Sequence, residues 1–302
     1  VKRASKLFLL GLFIAIFYYD VFSSQYAWIE QQLLSIRIMG VLQRLALVFL
    51  LTMIIVTYLK TTWQYAITVG LLLGYWAVMA LVPYTDTTGV VFQGELLFGN
   101  NLAAWIDAKV FAAKHLYYSK ATPFAFDPEG LLATLPSVAG CLLGVFTGNL
   151  LTNKDVDLLS KTKNMLVSGL ILLCCGYFWS QSFPINKAMW TSSYVLVTTA
   201  WALIVLASLT YLIDVKQYKN WSAPFVVFGA NAIFFYVFSA LIERTTLMIP
   251  MGDISLKGWL YNEIFQPLFG NYNGSLMYAV MFLMLSYLVM HQLFQRKIFF
   301  KV

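Results

Sequence analysis

The sequence predicts an all-α, polytopic membrane protein: a bundle of about eight transmembrane helices with interfacial helices on its outer face. Three observations carry this. Of 302 residues, 60% are hydrophobic and only 11% charged, against about 25% charged in a soluble domain. The apolar residues form continuous runs of about twenty, enough to cross about 30 Å of hydrocarbon at 1.5 Å per residue. The 20 lysines and arginines fall mostly in the short stretches between those runs. A membrane barrel would instead alternate apolar and polar residues in segments of about ten. A disordered chain needs low hydrophobicity. The net charge of +7 fits membrane topology better than nucleic-acid binding, because the basic residues are scattered.

The expected spans are 6–23, 38–59, 63–83, 129–151, 164–183, 190–213, 223–243 and 275–295. The first comes after the basic start "VKRASK", but no small-residue cleavage site stands beyond it, as a signal peptide requires. Lys2, Arg3, Lys6, Lys60, Lys154, Lys161, Lys163, Lys216, Lys219, Arg296, Lys297 and Lys301 then share one side, 12 of the 20. Seven lie opposite, in longer loops: Arg37, Lys109, Lys114, Lys120, Lys187, Arg244 and Lys257. Arg44 falls inside a span. The positive-inside rule places both termini in the cytoplasm and the segments 84–127 and 244–274 on the periplasmic or lumenal side. Within those segments, "NNLAAWIDAKVFAAKHLYY" and "GWLYNEIFQPLFG" have the spacing of amphipathic helices lying at the interface.

The second span carries "SIRIMGVLQRLALVF". Arg37 and Arg44 are seven residues apart, two turns of one helix face. Arg44 lies about a third of the way into the apolar run, where an arginine is costly unless paired or wet. It is either one half of a buried ion pair with a carboxylate from another helix or part of an anion-binding wall. Arg37 has the further option of snorkelling to the interface.

The fourth span opens with "FDPEGLLATLPSVAG". Pro128 suits a first helical turn and Asp127 the N-cap before it. Glu129 comes one residue too early for a capping box, which leaves it free to point into the bundle. The pair is therefore a helix cap or a binding site. Pro136 is expected to kink this helix. Gly140, Gly144 and Gly148 read as a stripe for close helix packing.

Asn186, Lys187 and Trp190 precede the sixth span: a cap, an outward cation and an interfacial aromatic. Thr191, Ser192 and Ser193 then make a polar first turn. Asn231, beside Gly229 near mid-membrane, needs a hydrogen-bonding partner, either another helix or a ligand. Glu243 and Arg244 are neighbours at the outer rim. His115 reads as a solvated loop residue, and His291 as a partner of its own helix end. Cys141, Cys174 and Cys175 read as small buried hydrophobes. There is no phosphate-cradling loop, nucleophile elbow or metal-ligand spacing.

Taken in order, "RIMGVLQR", "NNLAAWIDAKV…HLYY…FDPEGLLATLPSVAGCLLGVFTG", "INKAMWTSSYVL", "PFVVFGANAIFFYV" and "RKIFFKV" resemble the heparan-α-glucosaminide N-acetyltransferase family, including its bacterial membrane members. The resemblance runs essentially the whole length. It implies transmembrane transfer of an acetyl group from acetyl-CoA, as co-substrate and without a metal, to the amine of a glucosamine-type sugar. It further implies a bacterial inner-membrane location, lipid and amino-sugar partners, no nucleic acid, and a homodimer. The family pattern touches Arg37, Gly40, Gln43, Arg44, Asp107, His115, Asp127, Glu129 and Gly130. It continues through Asn186, Lys187, Trp190, Ser193, Tyr194, Gly229 and Asn231.

Family members usually have proline where Met39 stands here. They also begin with further spans bearing an Asp-Arg-Gly segment and a histidine regarded as catalytic, which nothing in this sequence matches. Residues 1–302 are therefore expected to form one helical-bundle domain, the C-terminal part of a longer bundle. The catalytic group is left open, with Asp127 and Glu129 as candidates at the amino sugar. Arg44 and Lys187 are expected to meet negative charge on coenzyme A or the oxyanion, Arg37, Asn186 and Trp190 to line the site, and Asn231 to orient a carbonyl. A sugar transporter or a non-catalytic membrane subunit remains the alternative.

Overall fold

Among residues 1–300, which the computed structural model describes, six helices are long and apolar enough to cross a membrane. A bent pair makes a seventh if its halves form one span. The expected all-helical polytopic architecture is borne out, with six or seven spans in place of eight. Large side chains such as Trp63, Leu81 and Phe178 stay more than 60% exposed on these helices, as suits a bilayer solvent. The chain packs as two compact units, one of Val1–Gly11 with Arg37–Tyr218, the other of Leu12–Ile36 with Lys219 onward.

In the first unit, after the opening turns of α1 (Lys2–Ile16), come α2 (Val41–Tyr58) and α3 (Thr61–Leu81). Two short hairpins come next, β1–β2 (Tyr84–Thr85, Val91–Phe92) and β3–β4 (Leu96–Leu97, Asn100–Asn101), then α4 (Leu102–Val110). α5 (Thr134–Thr152), α6 (Leu158–Trp179) and α7 (Ser192–Leu209, carried on to Val215 by a wider turn) complete the unit. The hairpins and α4 sit on the end of α3 through a core of Tyr75, Met79, Tyr84, Leu102, Phe124 and Phe183. α4 has its own cap, as Asn101 Oδ1 accepts from Ala104 N–H at 2.9 Å.

Several expected boundaries move, each for a local reason. α6 starts six residues early, because Asp157 caps it through Ser160 N–H at 3.0 Å, while the apolar run begins only later. α2 starts at Val41, since Gly40 is fully extended (φ −138°, ψ −178°). α5 starts at Thr134, not beside Pro128. Pro136 is thus its third residue, where no intrahelical N–H bond exists to lose, and it does not act as an interior kink.

The glycine stripe of α5 is also corrected. A methyl on Gly140 would reach Val195 at 3.4 Å, but one on Gly144 or Gly148 would meet nothing within 4 Å. The close approach is made instead by Gly169 and Gly176 of α6, where a methyl would come within 3.1 Å of the α7 backbone. Cys174 and Cys175 lie exposed on α6 rather than buried.

The second unit holds the end of α1, α8 (Ala223–Ala230), α9 (Ala232–Met248) and a hairpin β5–β6 (Pro250–Met251, Ile254–Ser255). α10 (Leu256–Trp259) and α11 (Gln266–Gln295) close the unit, joined by a wide turn and broken at Gly270 (φ 75°). The expected first span, 6–23, is helical only to Ile16. Arg244 ends it by donating to the carbonyls of Ile14, Ala15 and Phe17, a cation at a helix C-terminus. Glu243 pairs with Lys257 at 2.6 Å instead. His291 bonds Gln295, one turn on in α11.

Candidate functional site

The loop-rich end of the first unit gathers two arginines, three carboxylates and a tryptophan from five places in the chain. The assembly starts from Asp107, on α4 and 1% exposed. Its carboxylate accepts the N–H of Asp127 at 3.2 Å and of Leu131 at 3.1 Å, so it staples the segment 127–131 to α4. Gly130 faces the same carboxylate, and a methyl there would overlap it. Burial pushes the Asp107 carboxyl up to about 6, against the two N–H bonds that favour its charge.

The stapled segment presents Asp127 and Glu129. Asp127 is not the cap of α5, as its sequence position suggested. Its Oδ2 accepts from Arg37 Nε at 2.7 Å and Tyr117 N–H at 3.2 Å. Its Oδ1 accepts from Arg37 Nη2 at 2.6 Å and Glu129 N–H at 2.9 Å. Four donors saturate a carboxylate, and the side chain has no exposed surface.

Arg37 comes from the extended approach to α2, not from its helix. It therefore does not share a helical face with Arg44, yet both reach the same Glu129. Arg37 Nη2 also donates to Glu129 Oε2 at 2.5 Å, and its guanidinium lies 4.6 Å from the Tyr117 ring centre. Burial opposes the Arg37 charge. Hydrogen bonds and charge from Asp127, then Glu129, outweigh it and hold the guanidinium above its ordinary range.

Arg44 sits in the first turn of α2, shallower than the apolar run suggested. Its Nη1 donates to Pro128 O at 3.1 Å. Its Nη2 is 3.8 Å from Glu129 Oε1, an ion pair beyond hydrogen-bond length. Its guanidinium lies 3.8 Å from the Trp190 ring centre, close contact for a cation on an indole face. Of the two readings of Arg44, the ion pair is therefore present, with its carboxylate supplied by the loop before α5 and not by another helix, and the tryptophan adds a platform beneath it.

Trp190 reaches that position from a left-handed backbone (φ 52°), a costly conformation for a bulky residue. The loop before α7 is tied down to hold it. Tyr75 Oη donates to Met189 O at 2.5 Å. Thr191 Oγ1 donates to Pro184 O at 2.8 Å and accepts from Tyr194 N–H at 3.4 Å. Thr191, not Asn186, thus caps α7. Asn186 Oδ1 accepts from Ala188 and Met189 N–H and shapes the turn. Ser192 and Ser193 donate to Leu72 O and Phe183 O, so this polar turn is structural. Lys187 is exposed on the same loop.

Arg37, Arg44, Asp127, Glu129 and Trp190 thus form one cluster, with Asn186 and Lys187 on the adjoining loop. Asn231 belongs to the second unit, and both ends of its amide are bonded to backbone there. Tyr117 and the Pro128 carbonyl were not singled out from sequence, since nothing local marks a ring or carbonyl that meets an arginine about eighty residues away.

The cluster offers a carboxylate, Glu129, flanked by two guanidinium groups, one of them held only loosely to it and set over an aromatic face. In chemical terms the carboxylate can take a cationic group and the guanidinium groups can take negative or polar oxygens.

The chain is similar to human heparan-alpha-glucosaminide N-acetyltransferase, 31% identical over an alignment of 155 residues that covers 47% of this chain and 23% of that protein. It is likewise similar to the mouse protein of that name, 32% identical over 159 residues, with the same shares of the two chains. The match thus spans about a quarter of the length of these relatives. No protein-family model matches the chain. The resemblance read from the sequence motifs is borne out over the 47% of the chain that these relatives match.

Proposed function

We propose that the chain carries the sugar-binding end of a membrane acetyltransferase that moves an acetyl group from acetyl-CoA to the amine of a glucosamine-type sugar. The observation that carries this reading is the convergence of Arg37, Asp127, Glu129, Arg44 and Trp190 at one end of the first unit. Similarity to two N-acetyltransferases supports it. In this reading Asp127, already saturated, positions Arg37. Glu129 anchors the sugar ammonium through Oε1, the oxygen to which Arg37 does not donate. Arg44, steadied on Trp190, faces the negative charge that develops on the thioester oxygen when the amine attacks the carbonyl carbon. The ammonium first gives up one proton to water, which makes it the attacking amine; the C–S bond then breaks, and the second proton leaves the nitrogen with the thiolate, so that coenzyme A departs as the thiol. Lys187, exposed beside the cluster, meets the coenzyme's phosphates.

The lysine and arginine bias favours cytoplasmic termini and a cluster facing the periplasm or lumen.

The test is the full-length protein in liposomes with labelled acetyl-CoA and glucosamine. Formation of N-acetylglucosamine is the expected result, and no acetylated product from folded protein would overturn the reading. The break in the span at Asn231 favours a second reading, since broken helices recur in transporters. Labelled sugar accumulating without acetyl-CoA would support transport instead.

A further inference from the structure

Asn231 stands at the break in the seventh expected span. α8 ends at Ala230, α9 begins at Ala232, and their axes bend by 72°. Asn231 itself is non-helical (φ −130°, ψ 38°) and 2% exposed. Its side chain does not cap α9. Instead Nδ2 donates to Ile298 O at 3.0 Å, and Oδ1 accepts from Phe300 N–H at 2.9 Å. An amide that bonds a carbonyl and, two residues on, an N–H reads an extended backbone as a neighbouring strand would. The Phe300 ring stacks on Phe234, at 4.3 Å and 10° between planes.

The route to this contact is also built. α11 ends in a two-bond cap, with Lys297 N–H to Phe294 O at 3.0 Å and Ile298 N–H to Leu293 O at 2.9 Å. Lys297 takes the left-handed position (φ 55°) that glycine usually fills. A lysine in that conformation is held by its chain neighbours Ile298 and Phe300, both of which are fixed on Asn231.

We propose that residues 298–300 are a latch: Asn231 grips their backbone at the break and thereby holds the bend between α8 and α9. The break is a docking site for an extended peptide with an aromatic residue, and its occupant is this chain's own C-terminal segment. Asn231 is a positioning residue here. The proposal does not depend on the reaction carried out by the first unit.

The test uses the full chain in lipid nanodiscs, with Cys141, Cys174 and Cys175 replaced and spin labels at the exposed positions Phe225 and Ile242. Three variants separate the contacts. Asn231→Ala removes the grip, Phe300→Pro removes both the ring and the N–H that Asn231 accepts, and Phe300→Ala removes the ring alone, so the difference between the two Phe300 variants reports the N–H. The parent should give one narrow distance distribution. Asn231→Ala and Phe300→Pro should broaden it, and Phe300→Ala should broaden it less. Exchange of the Phe300 amide should speed up about tenfold in Asn231→Ala, the scale of one lost hydrogen bond. If Asn231→Ala fails to assemble, Phe300→Pro carries the test. A narrow distribution unchanged in Phe300→Pro, or unchanged Phe300 exchange in a folded Asn231→Ala, would overturn the latch.

Discussion

Replacing Arg37 with alanine should cost about 3 kcal/mol of stability. The figure rests on the state in which Asp127 is left. Its side chain has no exposed surface and keeps two backbone donors, from Tyr117 and Glu129, after losing both guanidinium bonds. Removing one partner of a buried pair costs about 3–5 kcal/mol. The surviving donors place this case at the lower end. Asp127→Ala should cost about 2 kcal/mol, because Arg37 is 28% exposed and keeps Glu129 and Tyr117. In the double variant no orphaned charge is left, so it should cost about 3 kcal/mol rather than the sum of about 5, a coupling of about 2 kcal/mol. The assay is unfolding by SDS in mixed micelles, monitored by tryptophan fluorescence. Additive losses, or an Arg37→Ala cost under about 1 kcal/mol, would refute the argument that the pair is one buried unit. Arg37→Lys keeps the charge but not the fork, and should fall between the parent and alanine.

Three further outcomes are expected at the same end of the unit. Asp107 has its folded pKa raised to about 6 from 3.8, so its contribution to stability is full below about pH 4 and is lost as pH rises through about 6. The difference of about 2 pK units corresponds to about 3 kcal/mol. Asp107→Asn should flatten that part of the stability–pH profile. Gly130→Ala should cost about 1–3 kcal/mol by driving a methyl into the Asp107 carboxylate, while Gly144→Ala, with open space around it, should be near neutral by the same unfolding assay. Trp190→Leu should lower acetyl transfer about five- to thirtyfold through loss of the platform under Arg44, about 1–2 kcal/mol, with the parent's folded yield.

The membrane-length helices were legible because apolar runs announce themselves. Where each helix starts was less so, since hydropathy does not distinguish a helix from an extended approach to it. Residues 37–40 and 128–133 look like the openings of α2 and α5, but Gly40 is extended and Asp127 spends its side chain on Arg37, 90 residues away. The ion pair of Arg44 was foreseeable from the cost of a charge in lipid. Its partner, and the indole beneath it, were not, because Trp190 arrives through a left-handed backbone fixed by Tyr75, Thr191 and Ser192. Asn231 needed a partner at its depth, but no local pattern links it to a segment 67 residues later. The stripe at Gly140, Gly144 and Gly148 had the right spacing for packing. The contact went to Gly169 and Gly176, two turns apart, a spacing that could have been read and was not.

The central claim is that Glu129, between Arg37 and Arg44, anchors the sugar amine. It is tested most directly by the rate of acetyl transfer from acetyl-CoA to glucosamine by Glu129→Gln in nanodiscs, at the parent's folded concentration. The account predicts a fall in kcat/KM of about 10- to 100-fold, the loss of one charge-assisted hydrogen bond. It also predicts a higher KM for the sugar and little change in KM for acetyl-CoA. An unchanged kcat/KM would contradict it.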